Sequence, residues 1–171
     1  MKKNLLLFLF LSLSLSLSAQ VPDYKVSIHI GPSAITGVSL MRAIVTIEEL
    51  NNVSSSGPIT VIMPKKARFP FTWVDTATIA GLLPVNNSQW TIDDSNPRYT
   101  KWTYNLPTFP AGGTSVFGYV GTYDPGNTDG RDNFTVQIIS GSGGDITPPN
   151  NRAVFDDVMP HLISFKFFRQ P

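Results

Sequence analysis

The stretch YKVSIHIGPSAITGVSLMRAIVTIEEL, residues 24–50, decides the fold because its apolar residues recur at every second position. Its first part, YKVSIHI (24–30), alternates Val26, Ile28 and Ile30 with polar neighbours. Successive side chains of a β-strand point to opposite faces, so this alternation predicts a strand with one buried face. The second part, VSLMRAIVTIEEL (38–50), is rich in β-branched residues and predicts a longer strand whose far end carries Glu48 and Glu49.

The same alternation predicts strands along most of the chain, separated by breaks rich in Gly, Pro, Asn, Asp and Ser. These strands are predicted at 59–64, 71–74, 89–92, 99–106, 114–123, 133–140 and 161–168. The segment DTATIAGLL (75–83) has a helix-like pattern and is expected to form at most one or two helical turns. About seven to nine short strands with frequent turns indicate an all-β fold, a sandwich of two antiparallel sheets.

Residues 1–20, MKKNLLLFLFLSLSLSLSAQ, have the pattern of a secretory signal peptide. Lys2 and Lys3 give a positive start, 5–11 is an unbroken apolar run, and small residues follow at 18 and 19. The run falls short of the roughly 20 apolar residues that a membrane-spanning helix needs, so we expect no membrane span after signal removal. The prediction is a secreted protein, extracellular or periplasmic, whose residues 21–171 form one domain.

The composition excludes several classes of partner and chemistry. The chain has no cysteine, so it cannot form disulfides, carry a lipidated cysteine or use a thiol nucleophile. Without Lys2 and Lys3, eleven basic side chains face twelve acidic ones, and they are scattered along the sequence. Nucleic-acid binding needs a concentrated basic surface, so we expect no nucleic-acid partner.

No arrangement of residues in the sequence predicts an enzyme. The two histidines, His29 and His161, form no H-x-x-x-H pair, and no G-x-S-x-G motif is present. The segment GSGGD (141–145) lacks the lysine of a phosphate-binding loop. The acidic pairs at 48–49, 93–94 and 156–157 are expected at solvated strand ends or turns. We therefore expect no catalytic residues and no cofactor.

One loop, DPGNTDGRDN (124–133), carries the oxygen-rich side chains that calcium prefers. Part of it matches the middle of an EF-hand loop, but Pro125 stands where the first aspartate belongs, and Val136 stands at the closing glutamate. Pro-Gly and Asp-Gly are also ordinary turn sequences that join two strands. The turn interpretation is preferred, and the candidate ligands of a noncanonical calcium site are Asp124, Asn127, Asp129 and Asp132.

Aromatic residues offer a second type of site, because flat ring faces pack on the faces of sugars. The candidate ligand residues of a sugar-stacking platform are Trp90, Trp102, Tyr99 and Tyr104. The alternative is that these rings are apolar core of a sandwich that has no disulfides, which is the commoner use of large aromatics. The sequence favours the core interpretation.

Four segments, taken in order, resemble the DUF11/CARDB-like group of bacterial extracellular immunoglobulin-like domains. They are TIEELNNVSSSGPITVIMP (46–64), NNSQWTI (86–92), FPAGGTSVFGYVGTY (109–123) and GSGGDITPPNN (141–151). The signal ending SAQ also resembles secreted proteins of the Bacteroidota. This resemblance implies an immunoglobulin-like β-sandwich that serves as a structural or cell-adhesion module of the cell envelope, with no catalytic residues.

The expected function is therefore a non-enzymatic extracellular or cell-envelope module with a protein or cell-surface partner. The alternative is a carbohydrate-binding module that uses exposed Trp and Tyr and is supported by calcium. Residues 153–171 extend past the segment that carries the resemblance and include the apolar run HLISFKFF (161–168). This extension is expected to add a strand within the domain. The alternative is that it pairs with the sheet edge of another chain.

Overall fold

The computed structural model describes residues 20–32, 34–35, 37–74, 76–79, 83–126 and 132–160. Within these ranges the regular structure is β-strand with a few short 3-10 turns. The strands are β1 (Tyr24–Gly31), β2 (Ala34–Ile35), β3 (Ser39–Glu49), β4 (Thr60–Pro64), β5 (Phe71–Thr72), β6 (Thr78–Ile79), β7 (Leu83–Pro84), β8 (Trp90–Asp93), β9 (Tyr99–Tyr104), β10 (Thr114–Tyr123), β11 (Asp132–Ile138) and β12 (Arg152–Pro160).

The first layer is a four-stranded antiparallel sheet in the order β1-β3-β10-β5. Strand β3 is its centre, because it pairs with all of β1 and all of β10. Its apolar residues Met41, Ala43, Val45 and Ile47 are buried, while the residues between them are less buried. The period-two pattern of the sequence is therefore the pattern of burial in this sheet.

The second layer is a six-stranded sheet in the order β2-β12-β11-β4-β9-β8. Its pairings are antiparallel except at one edge, where β12 runs parallel to the two-residue strand β2. The two sheets pack face to face, which makes the described part of the chain an all-β sandwich of the predicted class.

The core between the sheets is dominated by aromatic rings around Trp102. Its indole stacks on Phe117 and Tyr119, with ring centroids 5.3 and 5.6 Å apart. Phe71 covers the same indole from β5 at 5.9 Å. Full burial of one such ring stabilises the fold by roughly 1.5–3 kcal/mol, so this cluster is a major apolar contribution in a chain without disulfides.

A two-stranded hairpin, β6–β7, packs on the outer face of the four-stranded sheet. Its buried Ile79 lies over Gly118, where an added Cβ would come 2.5 Å from Ile79 Cδ1 and 3.0 Å from the Ala43 carbonyl oxygen. Glycine at 118 therefore makes room for the hairpin. The helix-like interpretation of 75–83 is wrong at Thr78–Ile79 and Leu83–Pro84, which are strands. This segment is too short for a core helix, and its Ile79 packs onto the sheet.

Two consecutive asparagines close the outer edge of β10 beside β5. The backbone N–H of Val116 donates to Asn86 Oδ1 at 3.1 Å, and the N–H of Gly118 donates to Asn87 Oδ1 at 2.9 Å. Asn87 Nδ2 donates back to the Gly118 carbonyl at 2.8 Å. An unpaired sheet edge can recruit another chain, and the two amides occupy this one.

The strand predictions between 24 and 140 agree with the structure to within one or two residues at most ends. The strand expected in the extension 153–171 was placed at 161–168, which lies outside the described residues, whereas the described strand β12 lies earlier, at Arg152–Pro160. The part of the chain that the structure describes contains no helix of the length and hydropathy needed to cross a bilayer. The assignment of 21–171 to one domain stays a prediction.

Candidate interaction face

The two described calcium candidates are held in different ways, and neither contacts the other. Asp124 is exposed, and its Oδ1 accepts a hydrogen bond from the Gly126 N–H at 2.8 Å, which is turn geometry. Asp132 accepts from Lys66 Nζ at 2.6 Å and from the Tyr123 hydroxyl at 2.9 Å. Partial burial opposes ionisation of Asp132, but these two donors hold its pKa below the ordinary value.

The other two calcium candidates, Asn127 and Asp129, lie outside the described residues. Among the residues that are described, no three acidic or histidine side chains gather into a group that could hold a metal ion. The carboxylate of Asp132 is already balanced by a lysine. The calcium site stays a prediction that depends on the loop between Asp124 and Asp132.

The aromatic candidates are core residues, which corrects the sugar-platform hypothesis for three of the four. Trp90, Trp102 and Tyr104 are buried between the sheets. Trp90 packs against Tyr104, and Trp102 stacks on Phe117. Trp90 Nε1 donates to Ser115 Oγ at 3.0 Å inside the protein. Tyr99 is half-buried on the outer side of the six-stranded sheet. Stacking on a sugar needs an exposed ring face, and a buried ring has none.

The acidic pair at 48–49 also differs from its prediction as a solvated strand end. Glu48 is partly exposed and pairs with Lys25 at 3.5 Å, but Glu49 is buried. The Glu49 carboxylate accepts from the backbone N–H groups of Gly112 at 2.7 Å, Asn51 at 3.0 Å and Val53 at 3.0 Å. Burial opposes its ionisation, yet these donors hold its pKa below the ordinary value. Glu49 is a structural clamp between loops.

The loop GSGGD (141–145) is also structural. Gly143 has a positive φ of 64°, and an added Cβ would lie 2.9 Å from the ring of Tyr24. Its carbonyl accepts from the Ser56 N–H at 2.9 Å. Asp145 is buried, and its carboxylate accepts from the backbone N–H of Tyr24 at 3.0 Å. These bonds fasten the loop to the start of β1.

A deep cleft opens at the end of the sandwich that carries the loop between β4 and β5. Its volume is about 490 Å³, and its floor includes Met63, Phe69 and Phe134. Both lysines at its rim are neutralised, because Lys65 pairs with Asp94 at 3.1 Å and Lys66 pairs with Asp132 at 2.6 Å. The charged groups at this cleft therefore balance one another.

A different surface combines exposed apolar side chains with an unbalanced charge. It lies on the outer side of the four-stranded sheet, and we call it the Arg42 face, formed by Leu40, Arg42, Val74 and Val120. Leu40 is 70% exposed and Val74 is 54% exposed. Val38, two residues before Leu40, is 65% exposed. Single exposed apolar residues are common, but a cluster of them marks an interaction surface.

Two hollows meet on this face. One, of about 370 Å³, is lined by Leu40, Phe71 and Thr122, among others. The other, of about 220 Å³, is lined by Val74, Ile79 and Gly118, among others. Both hollows are lined by Thr72 and Val120, which therefore form the ridge between them.

Arg42 lies beside that ridge and forms no ion pair with any residue that the structure describes. In the sheet it is paired with Val120 on one side and with Gly31 on the other. Its Nε atom is buried and has no hydrogen-bond partner among the described residues. Every described lysine, in contrast, forms an ion pair: Lys25, Lys65, Lys66 and Lys101. A partly buried cation is stabilised by a nearby anion, so Arg42 is a candidate position for binding an anionic group.

Sequence reasoning missed this face, although a signal was present. In the strand at 38–50 the polar side of the alternation reads Val38, Leu40, Arg42 and Ile44. Three of these four residues are apolar. The pattern predicts a strand correctly, but the surplus of apolar residues on its outer side indicates a covered or docking face.

By sequence, no protein-family model and no curated protein matches the chain. Similar solved structures include the CARDB domain of the PF1109 protein from Pyrococcus furiosus, crystallised in complex with di-metal ions. That domain is 16% identical, with a TM-score of 0.49, and the match covers 84% of this chain and 92% of that chain. The resemblance to DUF11 domains and to Bacteroidota proteins stays a prediction.

Two further solved structures are also similar to this chain. CaCohA2 from Clostridium acetobutylicum is 17% identical with a TM-score of 0.42, covering 82% of this chain and 86% of that one. The bacterial hydrophobin BslA is 17% identical with a TM-score of 0.41, covering 81% and 96%. The sandwich assignment itself stands on the strand pairings of this chain.

Proposed function

We propose that this protein is a non-enzymatic interaction module that binds a protein partner through the Arg42 face. The observation that carries the proposal is Arg42, whose Nε atom has no hydrogen-bond partner among the described residues, beside the exposed side chains of Leu40 and Val74. Protein interfaces are enriched in arginine and large apolar residues at their centre. The two hollows are depressions in this surface into which side chains of a partner can pack.

The signal-peptide pattern of residues 1–20 supports an extracellular role. We propose that residues 1–20 direct the chain across a membrane and that the remainder acts in the periplasm, at the cell envelope or outside the cell. A protein without cysteine cannot form incorrect disulfides under the oxidising conditions there. Adhesion or a structural role in the envelope is the form of activity that this location and a docking face favour.

Site-specific photo-cross-linking in the native cell tests the proposal. A photoreactive amino acid replaces Leu40 in the full 171-residue chain. The matched control places it at Gln137, an exposed residue on the outer side of the six-stranded sheet. We expect one discrete partner protein to be captured from position 40 and not from position 137.

Competition makes the experiment specific to the face. An excess of unlabelled protein should suppress capture at position 40, whereas the Leu40→Asp variant should not. Equal capture from both positions, or suppression by both competitors, would show that the Arg42 face is not a binding surface. Thermal unfolding of Leu40→Asp serves as the folding control, and we expect no large change because Leu40 is mostly in solvent.

A further inference from the structure

We propose that Arg42 pairs with a carboxylate of the partner, which presents an Asp or Glu side chain between apolar residues that fill the two hollows. This inference rests on the proposed function and specifies the chemistry of its partner. It follows from the charge, the burial and the neighbours of one side chain.

The guanidinium of Arg42 lies over Gly31 of the neighbouring strand β1. On the β1 side the neighbour is Gly31, and the position of a Cβ there lies 3.6 Å from Arg42 Nε and Nη2. The absence of a side chain at position 31 therefore lets the guanidinium lie against the backbone of β1. The guanidinium carries five N–H donors in a planar fork, which matches the two oxygens of a carboxylate.

The apolar surroundings select a carboxylate among anions. A phosphate backbone is bound by several cations together, and Arg42 is a single cation with Val120 and Leu40 beside it. One carboxylate neutralises one guanidinium. The hollows on either side of the Val120 ridge are then free to accept apolar side chains of the same partner.

Charge also argues against two other occupants. A second copy of this chain related by two-fold symmetry would place its own Arg42 on the same patch, which sets like charges opposite each other. The chain's own residues 161–171 contain Lys166 and Arg169 and no acidic residue. A separate acidic partner is the complementary occupant.

A displayed library of random 12-residue peptides is the probe for this chemistry. Peptides are selected on the protein and retained only when the Leu40→Asp variant fails to bind them, which confines the selection to the Arg42 face. We expect the retained peptides to carry an Asp or Glu flanked by apolar residues. Loss of one partner of a buried charged pair typically weakens binding at least about 30-fold, so we expect that loss for Arg42→Gln.

Matched variants separate this role from folding. Arg152→Gln makes the same substitution on the exposed edge of the other sheet, and we expect unchanged peptide affinity. Arg42→Lys keeps the charge and loses the fork, so its affinity should fall between those of the wild type and Arg42→Gln. Denaturation midpoints of all three variants check that each remains folded.

Each outcome decides between the two proposals. Retained peptides that lack acidic residues, or that bind Arg42→Gln as tightly as the wild type, overturn the pairing and leave the interaction face standing. A selection in which no peptide distinguishes Leu40→Asp from the wild type overturns both. A dimer that Leu40→Asp disrupts would identify a second copy as the occupant. A cross-link from position 40 into 161–171 would identify the chain's own terminus.

Discussion

At the scale of single residues, buried phenols show how polar atoms are placed in this core. The hydroxyl of Tyr119 is buried and donates to Met63 Sδ at 2.8 Å, while that of Tyr123 donates to the Asp132 carboxylate at 2.9 Å. A thioether is a weak acceptor and a carboxylate is a strong one. Burial raises the pKa of both phenols, and that of Tyr123 reaches about 12. Tyr119 and Tyr123 therefore allow a direct comparison of a weak and a strong acceptor for a buried hydroxyl.

We expect Tyr123→Phe to lower the free energy of unfolding by about 1.5 kcal/mol, because a hydrogen bond to a charged group is lost. We expect Tyr119→Phe to change it by less than about 0.5 kcal/mol, because only the sulfur contact is lost. Chemical denaturation of both variants at neutral pH measures the difference. A larger loss for Tyr119→Phe than for Tyr123→Phe would contradict this assignment of strong and weak partners.

At the scale of elements, strand β10 depends on side chains for the pairing that a neighbouring strand would normally provide. Asn87 is buried and makes three hydrogen bonds to backbone groups, two with Gly118 and one with the Val74 carbonyl at 2.8 Å. Asn86 is exposed and supports Val116. The amide of Asn87 thus joins the edge of β10 to the backbone of Val74, one of the residues of the Arg42 face.

Replacing Asn87 with Ala should cost about 2–3 kcal/mol of stability, because backbone groups at Gly118 and Val74 lose their partners in a buried place. Asn86→Ala, the matched change at an exposed position, should cost about 1 kcal/mol or less. Hydrogen exchange of the Gly118 amide gives a local readout, and its protection should fall in Asn87→Ala. Unchanged protection there would mean that the edge is held by another contact.

Which elements the sequence could predict depends on how clearly their residues alternate. Strands β1, β3 and β10 alternate over long runs, and their positions were predicted to within one or two residues. Strand β12 begins with Arg152 and contains the acidic pair at 156–157, which resembles a turn and hides the strand. The short strands β6 and β7 are defined by packing on Gly118, which local sequence does not encode.

The candidate site was less predictable for a physical reason. Burial of Trp90 and Trp102 follows from contacts between distant strands, so the sequence favoured a core position for these rings but could not identify the residues that bury them. That Arg42 forms no ion pair with the described residues is visible only in the structure, because it depends on which side chains of distant strands lie near it.

At the scale of the whole molecule, the clamp at Glu49 connects stability to pH. The carboxylate joins the end of β3 to the loops at Asn51, Val53 and Gly112. Its pKa is lower in the folded protein than in the unfolded chain, as is that of Asp132. Such groups stabilise the fold fully above their unfolded pKa, near 4 for carboxylates, and this contribution is lost as the pH falls through the folded value.

We expect the free energy of unfolding to be nearly constant from about pH 6 to 8 and to fall as the pH drops below about 4. Glu49→Gln should lower stability at neutral pH by about 1–3 kcal/mol, because its amide nitrogen would face backbone donors. The free energy of unfolding of this variant should also fall less at low pH than that of the wild type. Urea denaturation across the pH range tests both points. If the free energy of unfolding fell equally with pH in both proteins, Glu49 would not contribute to the loss of stability in acid.

The pairing of β3 with β10 also bears on when the chain can fold. Ser39 of β3 lies opposite Tyr123, and Glu48 lies opposite Thr114, so the central strand pairs with residues made much later in synthesis. Folds dominated by such distant pairings form slowly, because a long loop must close before the contacts stabilise it. If the chain is exported as proposed, slow folding keeps it unfolded while it crosses the membrane. The topology that gives the mature protein its core would then also set the time available for its passage.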